Sequence, residues 1–477
     1  MDNRTRWLAL YVLCLATLMI VLDVTIVNVA LPSIRTDLGF SVTSLAWVVN
    51  AYLLTYGGCL LLGGRLGDLF GHRRLFIAGI ALFTLSSLAC GVSTTKGELI
   101  TARAVQGVGG AVASAVSLSL MLTLFQEAGE RAKAMGIFGF VASGGGSIGV
   151  LLGGLLTGSL NWHWIFLVNV PIGVLVVALT LRLLPPARTA AATGRLDIGG
   201  AVTVTASLML AVYGIVNGNQ YGWTSARTLG TLAGAAVLFA AFIAIEARVS
   251  SPLMPLGLFK RRNIAFANVV GIFWAASMFA WFFLSALYLQ LVLGYSPLHV
   301  GLAFLPANLI MGALSISLSA KLVMRYGVRK PLAAGLLFAG TGLLLFVRAP
   351  VHGSFLVDVL PSMILLGIGA GIAFNPVLFA AMSDVAPEEA GLASGVVNTA
   401  FMMGGALGLA VLASIAASRT SSLTASGHGH LAALVGGYHA AFLVGAIFAF
   451  SAAVIGATFL RTRHYAAAPE MQEPLAA

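Results

Sequence analysis

Two charged residues stand where charge is hardest to keep. Asp23 falls inside the run Leu22-Asp23-Val24-Thr25-Ile26-Val27-Asn28-Val29, and Arg103 inside Leu99-Ile100-Thr101-Ala102-Arg103-Ala104-Val105-Gln106-Gly107. In runs this apolar a carboxylate is costly and marks an ion or proton path by default, while a guanidinium must face a cavity or a carboxylate. Gln106, three residues beyond Arg103, shares its helical face and can share its partner. A cation beside Asp23 favours the ionised carboxylate and desolvation opposes it, so Arg103 would set how readily Asp23 takes up a proton. The chemistry implied is reversible protonation.

The elements that must position these residues follow from composition. Of 477 residues, 59% are hydrophobic and 9% charged, with a mean hydropathy of +0.99, against roughly 25% charged in soluble domains. A water-soluble core is excluded. No Asp, Glu, Lys or Arg occurs from Asn263 to Ala320 or from Ala134 to Leu181, and each stretch suffices for two crossings at about 20 residues apiece. The 56 glycines suit helices packed closely in lipid. Cutting at charged and Pro/Gly-rich breaks gives about fourteen spans, at 8–31, 43–62, 75–93, 98–124, 134–158, 164–184, 198–217, 228–246, 264–293, 299–320, 331–348, 355–381, 391–416 and 437–460. The first is too long for a cleavable signal peptide and contains Asp23, so it is expected to stay. Residues 217–228 form a polar turn between spans 7 and 8. Asp23 is then the sole acid well inside a span; Asp197, Glu246 and Asp358 sit at span ends, where hydration makes charge cheap.

Orientation follows from basic residues, which are retained on the cytoplasmic side. With the N-terminus inside, twenty of the 26 Lys and Arg fall in cytoplasmic segments, among them Arg4, Arg6, Arg65, Arg188, Arg195, Lys321, Arg325 and Arg463, and five (Arg35, Lys96, Arg227, Arg348, Arg419) fall opposite. Both termini are therefore expected in the cytoplasm. The net charge of +11 is a topology signal; no soluble domain supports nucleic-acid binding.

The second half echoes the first at an offset near 256–260. Gly64 to Arg74 (GRLGDLFGHRR) matches Ala320 to Lys330 (AKLVMRYGVRK), Gly107-Val108-Gly109 matches Gly367-Ile368-Gly369, and Gly145 to Gly149 matches Gly404 to Gly408. The expected architecture is an all-α membrane protein of two six-helix bundles, residues 1–190 and 263–462, with two inserted helices and a linker at 191–262 and a disordered tail at 463–477. Asp68 becomes Met324 and Arg103 becomes Met363 in the echo, and no acid answers Asp23. Charges kept in one half only are poor candidates for framework.

These segments resemble the major facilitator superfamily and, within it, the fourteen-span drug:proton antiporters of the EmrB/QacA type. The resemblance covers most of the chain. It rests on the span 1 segment from Leu22 to Pro32, the loop from Gly64 to Arg74, Leu99 to Ala111 in span 4, and the glycine-rich Gly139 to Gly154 in span 5. Tyr288-Leu289-Gln290, Gly294-Tyr295-Ser296-Pro297, Leu305-Pro306 and Gly391 to Gly395 add to it. It implies proton-coupled export by alternating access, with Asp23 and Arg103 in proton coupling. Gly64, Asp68, Gly71, Arg73 and Arg74 would serve conformational switching, although Leu69 replaces the family's usual basic residue. Gly145, Gly149, Gly153 and Gly154 would pack helices in the motif the family associates with export, with Val150 in place of its usual proline.

Candidate cavity residues are Asn28, Gln106, Gln290 and the span 9 aromatics Phe273, Trp274, Trp281 and Tyr288, whose rings suit flat apolar or cationic ligands. No Walker-type phosphate loop occurs, so no cofactor is expected and the proton gradient supplies the energy. His428 and His430 lie among Ser and Gly in an external loop without visible partners, so no metal site is expected. The three cysteines Cys14, Cys59 and Cys90 give no disulfide framework. The expected partners are a small-molecule substrate, protons and the lipid bilayer of a bacterial inner membrane, for a chain acting as a monomer. No enzyme is expected, since no nucleophile and base pair appears. A dedicated exporter of one endogenous metabolite or antibiotic is the alternative, and nutrient import by proton symport a more distant one.

Overall fold

Apolar runs of this length must satisfy their backbone groups internally, and helices do so. The computed structural model describes residues 2–125, 127–184, 196–383, 385 and 389–461, and fourteen of its helices are long and apolar enough to cross a membrane. They are α1 (Asn3–Leu38), α2 (Trp47–Phe70), α3 (His72–Gly91), α4 (Lys96–Leu124), α5 (Ala128–Ser159), α6 (Trp164–Leu183), α7 (Ile198–Tyr221), α8 (Ala226–Glu246), α9 (Arg262–Val292), α10 (Pro297–Tyr326), α11 (Arg329–Phe346), α12 (Phe355–Met382), α13 (Ala390–Ala425) and α14 (His430–Phe459). Several outrun the apolar limits read from the sequence, because helical hydrogen bonding continues past the point where the side chains turn polar. Arg188, Arg195, Arg463 and the expected tail lie outside the described residues.

Local chemistry sets the ends. Thr95 and Glu98 form a reciprocal capping box at α4, Ser225 accepts from Thr228 N at α8, and Ser296 caps α10 with Pro297 in the first helical position. Gly71 and its echo Gly327 both turn the chain at positive φ, 92° and 73°, where a side chain would be strained.

α1 to α6 pack on one another, and so do α9 to α14. The sequence echo is an echo in space. Gly107 lets α4 approach the Tyr52 carbonyl of α2, and Gly367 lets α12 approach that of Ala307 on α10. Gly109 meets Gly79 and Phe83 of α3 as Gly369 meets Gly335 and Ala339 of α11. Gly149 lies against Leu22 and Thr25 of α1 as Gly408 lies against Ala276 of α9. Close approach of backbones at small residues is how helices gain dispersion energy where lipid removes the hydrophobic drive.

The bundles join where α5 packs on α10, α2 on α13 and α1 on α9. Gly154 sits on Pro297 and Leu298, the Val150 carbonyl faces Gly301, and Gln290 Nε2 donates to the Val29 carbonyl at 2.9 Å. These contacts lie toward the end of the bundle away from the N-terminus. At the other end of α5 a Cβ added at Gly129, Gly136, Gly139 or Gly144 would meet nothing within 4 Å. The halves therefore meet at the far end, and α2 and α13 also touch where Gly57 faces Thr399 and Met402 and where Gly395 faces Leu61.

α7 and α8 pair with each other, and α7 bridges α2 and α13. Their connection is shorter than the expected 217–228 turn: helix continues to Tyr221. Gly218 lies against the Trp223 ring, Trp223 Nε1 donates to Asn219 Oδ1, and Asn219 Nδ2 donates to the Ser414 carbonyl, so these polar residues are used by packing. A second correction concerns the span-end acids. Asp197 and Glu246 are 5% and 3% exposed, because the α7–α8 pair and the segment after α8 fold over them.

Candidate functional site

Asp23 and Arg103 meet inside the first bundle. Asp23 is fully buried on α1 and Arg103 is 1% exposed on α4. The approach of α4 to α2 at Gly107 also brings Val48 and Tyr52 to the guanidinium. Arg103 Nη1 donates to Asp23 Oδ2 at 2.5 Å and to Gln106 Oε1 at 2.8 Å, Nε donates to the Val48 carbonyl at 3.0 Å, and the Tyr52 ring lies 4.4 Å from the guanidinium carbon. On the other side Asp23 Oδ1 accepts from Gln106 Nε2 at 2.8 Å and from Asn169 Nδ2 at 3.2 Å. Ser87 Oγ accepts from both amides, at 3.1 and 3.0 Å, and donates to the Phe166 carbonyl at 2.9 Å. Cys90 Sγ donates to Gln106 Oε1 at 3.6 Å.

Five helices thus contribute to one neutral, enclosed network. A buried ion pair repays its desolvation only when its remaining donors and acceptors are also matched, and here three side chains donate to the two carboxylate oxygens. The Tyr52 hydroxyl and the Asn169 side-chain oxygen are buried without a protein partner. Gln106 joins this network as its helical spacing suggested. Ser87, Cys90 and Asn169 were not singled out from the sequence. For Asn169 the signal was present: it is a polar residue within the charge-free run from Ala134 to Leu181.

The expected cavity residues fall into separate settings. Asn28 Nδ2 donates to carbonyls of its own helix, at Val24 and Thr25, and Gln290 ties α9 to α1. Trp281 and Tyr288 are core residues; Trp281 packs on Phe282 and Phe304, and Tyr288 Oη donates to the Pro350 carbonyl at 2.8 Å. Phe273 packs edge-on against Phe448. Trp274 borders a recess of about 10 Å³ shared with Phe374, Val377, Leu378, Val397, Asn398 and Phe401. That holds about one water and no drug. In this arrangement most of the span 9 rings pack in the second bundle's core, and the recess draws also on α12 and α13.

The loop after α2 is placed at the helix ends. Asp68, with its side chain 56% exposed, faces His72 Nε2 at 3.3 Å, and Arg73 Nη2 donates to the Leu181 carbonyl of α6 at 3.0 Å. Gly64 meets nothing within 4 Å, and Arg74 borders the same turn. Of the span 5 glycines, Gly145, Gly149 and Gly153 all face α1 and so hold the helix that carries Asp23, whereas Gly154 faces α10 of the other bundle. With Val150 in place of a proline, α5 runs unbroken over Ala128–Ser159.

Known proteins resemble the chain along most of its length. The family description Major Facilitator Superfamily matches residues 13–409. The puromycin resistance protein pur8 of Streptomyces alboniger is 40% identical over 426 residues, covering 89% of this chain and 84% of the relative. The cephamycin export protein CmcT of Amycolatopsis lactamdurans is 39% identical over 456 residues, covering 95% and 92%. Among solved structures, an auto-inhibited POT family peptide transporter superposes with a TM-score of 0.67 at 17% identity over 98% of this chain and 99% of that one, a likeness of fold.

Proposed function

The chain belongs to the major facilitator superfamily, and from that premise we propose that it is a proton-driven exporter of small hydrophobic or amphipathic compounds, using Asp23 as the proton-carrying group. The observation that carries the coupling is the enclosed Asp23–Arg103 pair, present in one bundle only. In the arrangement described, Asp23 is held as a carboxylate by Arg103, Gln106 and Asn169. A proton arriving on Asp23 removes the countercharge of a buried guanidinium, which is costly unless Arg103 moves. Protonation and a shift of α1 against α4 are thereby linked, and α1 reaches the second bundle through Val29 and Gln290.

The two bundles, 1–190 and 263–462, rock about their contact to expose a central site alternately. That site adjoins the recess at Trp274, Phe374, Asn398 and Phe401, which opens further when substrate enters. The end that holds the first turns of α5 faces the cytoplasm, with both termini in the cytoplasm of a bacterium and the chain in its inner membrane. One proton moving inward through about 100 mV contributes roughly 2.3 kcal/mol, slightly more than a tenfold gradient of a neutral substrate at about 1.4 kcal/mol per decade. The work is transport rather than covalent chemistry, by a single chain and without a cofactor.

A second reading is favoured by the names of these two relatives, which refer to puromycin and to cephamycin: the chain exports one such compound. The test is a panel of apolar, cationic and antibiotic compounds in proteoliposomes under an imposed pH gradient. Gradient-dependent export of several compounds supports the broad reading and of one compound the narrow one; transport indifferent to the gradient overturns proton coupling.

A further inference from the structure

Two further acids, at the ends of the inserted helices, have no role in the mechanism above. Asp197 caps α7, with Oδ1 accepting from Gly200 N at 2.7 Å, and Glu246 ends α8, with Oε2 accepting from Met254 N at 3.1 Å. Each carboxyl uses one oxygen in this way. The other two oxygens, Asp197 Oδ2 and Glu246 Oε1, are buried and without a partner. Both converge on Gly200, where an added Cβ would lie 2.5 Å from the first and 2.8 Å from the second. A residue larger than glycine at 200 would fill the space in which the two acids face each other.

Two acceptors in that position are both unsatisfied if both acids are ionised, and they repel in apolar surroundings. One proton between them turns two orphans into a hydrogen bond and halves the buried charge, which is why carboxyls sharing a site retain a proton. Among the described residues no Lys or Arg forms an ion pair or hydrogen bond with either acid. The charged groups on the neighbouring elements are engaged or exposed: Arg65 on α2 is exposed, Asp68 faces His72, Glu389 before α13 pairs with Arg261 at 2.8 Å, and Arg248 and Lys260 are exposed. Arg195 lies outside the described residues.

We propose that Asp197 and Glu246 form a proton-binding site, a carboxyl–carboxylate pair holding one exchangeable proton, that latches the inserted helices to the second bundle. The latch is the segment after α8. Glu246 fixes the backbone of Met254, whose side chain packs on Val204, Phe242 and Met403 and also beside Leu258, Ile264 and Val396. Loss of the proton to water leaves two facing carboxylates, and their repulsion turns Glu246 away from Met254. The folded pair binds a proton that two hydrated carboxylates would release, so raising the pH through its titration removes stability.

The test uses purified full-length protein without substrate, so its outcome is independent of whether the export reading holds. Infrared spectra in heavy water are followed from mildly acidic to mildly alkaline pH, in wild type and in Asp23→Asn. The expected result is a protonated-carboxyl band of one equivalent that disappears on raising the pH, survives Asp23→Asn and Arg195→Gln, and is absent from Glu246→Gln. The glutamine amide donates to Asp197 as the proton did, so the same variant should lose the wild-type fall of melting temperature with pH. Asp197→Asn is the second variant should Glu246→Gln not fold. A band unchanged by either substitution, or no such band in Asp23→Asn at acidic pH, overturns the proposal.

Discussion

Removing the charge of Asp23 and then that of Arg103 separates a coupling group from a structural one. In Asp23→Asn the guanidinium stays buried without a countercharge, and the new amide has one oxygen where the carboxylate had two. Arg103 donates to Oδ2, while Gln106 and Asn169 donate to Oδ1, so either orientation of Asn sets its NH₂ against a donor. Flipping Gln106 gives no relief, because its Oε1 already accepts from Arg103. Breaking a buried pair from one side costs about 3–5 kcal/mol. The Val48 carbonyl and Tyr52 ring still hold the cation, which favours the lower end. A loss of about 3 kcal/mol is more than a hundredfold in the folding equilibrium. In Asp23→Asn/Arg103→Gln both charges are gone, and neutral replacements for a buried pair are commonly tolerated, so most of that stability should return. The assays are melting curves of purified protein and pH-gradient-driven uptake into inverted vesicles at matched protein amounts. The expected result is stability lost and then regained, with driven uptake absent from both variants. Driven uptake restored together with stability in the double variant would refute Asp23 as the proton carrier.

Gly149→Val should cost roughly 1–3 kcal/mol, because a Cβ there meets Thr25 and Leu22 of α1 at 2.0 and 3.1 Å; Gly144→Ala meets nothing and should gain up to about 1 kcal/mol, both read from melting temperatures. Gln290→Leu removes the hydrogen bond to the Val29 carbonyl; at about 1 kcal/mol the far end should open roughly fivefold more often, measured by labelling from outside of a cysteine that replaces the buried Val29 side chain, and unchanged labelling would mean that this bond is not a gate. Asp68→Asn should slow transport while equilibrium substrate affinity stays within a few-fold, since the largely exposed Asp68 touches His72 at a helix end; a large loss of affinity at unchanged turnover would contradict this. Reporter fusions at Tyr465 and Gly427 should lie on opposite sides of the membrane, and signals from the same side would show that α14 does not cross.

The fourteen spans, the doubled bundle and the Asp23–Arg103 pair were legible in the sequence for one reason: each is a pattern along the chain. A charge inside an apolar run, a glycine three or four residues from the next and an echo at fixed offset need no knowledge of neighbours. Gln106 was found because helical spacing alone puts it beside Arg103. Asn169, Ser87 and Tyr52 were missed because they reach the site from three other helices, and only the packing of α2, α3 and α6 around α1 and α4 decides that they meet there. The packing of the span 9 rings was not legible for the same reason, since an aromatic stripe looks alike whether it lines a chamber or fills a core. Asp197 and Glu246 show the converse: position at a span end argued for hydration, and the fold buried them face to face. Burial depends on what lies across from a residue in space, which α7, α8 and the segment around Met254 settle together and no one of them carries alone.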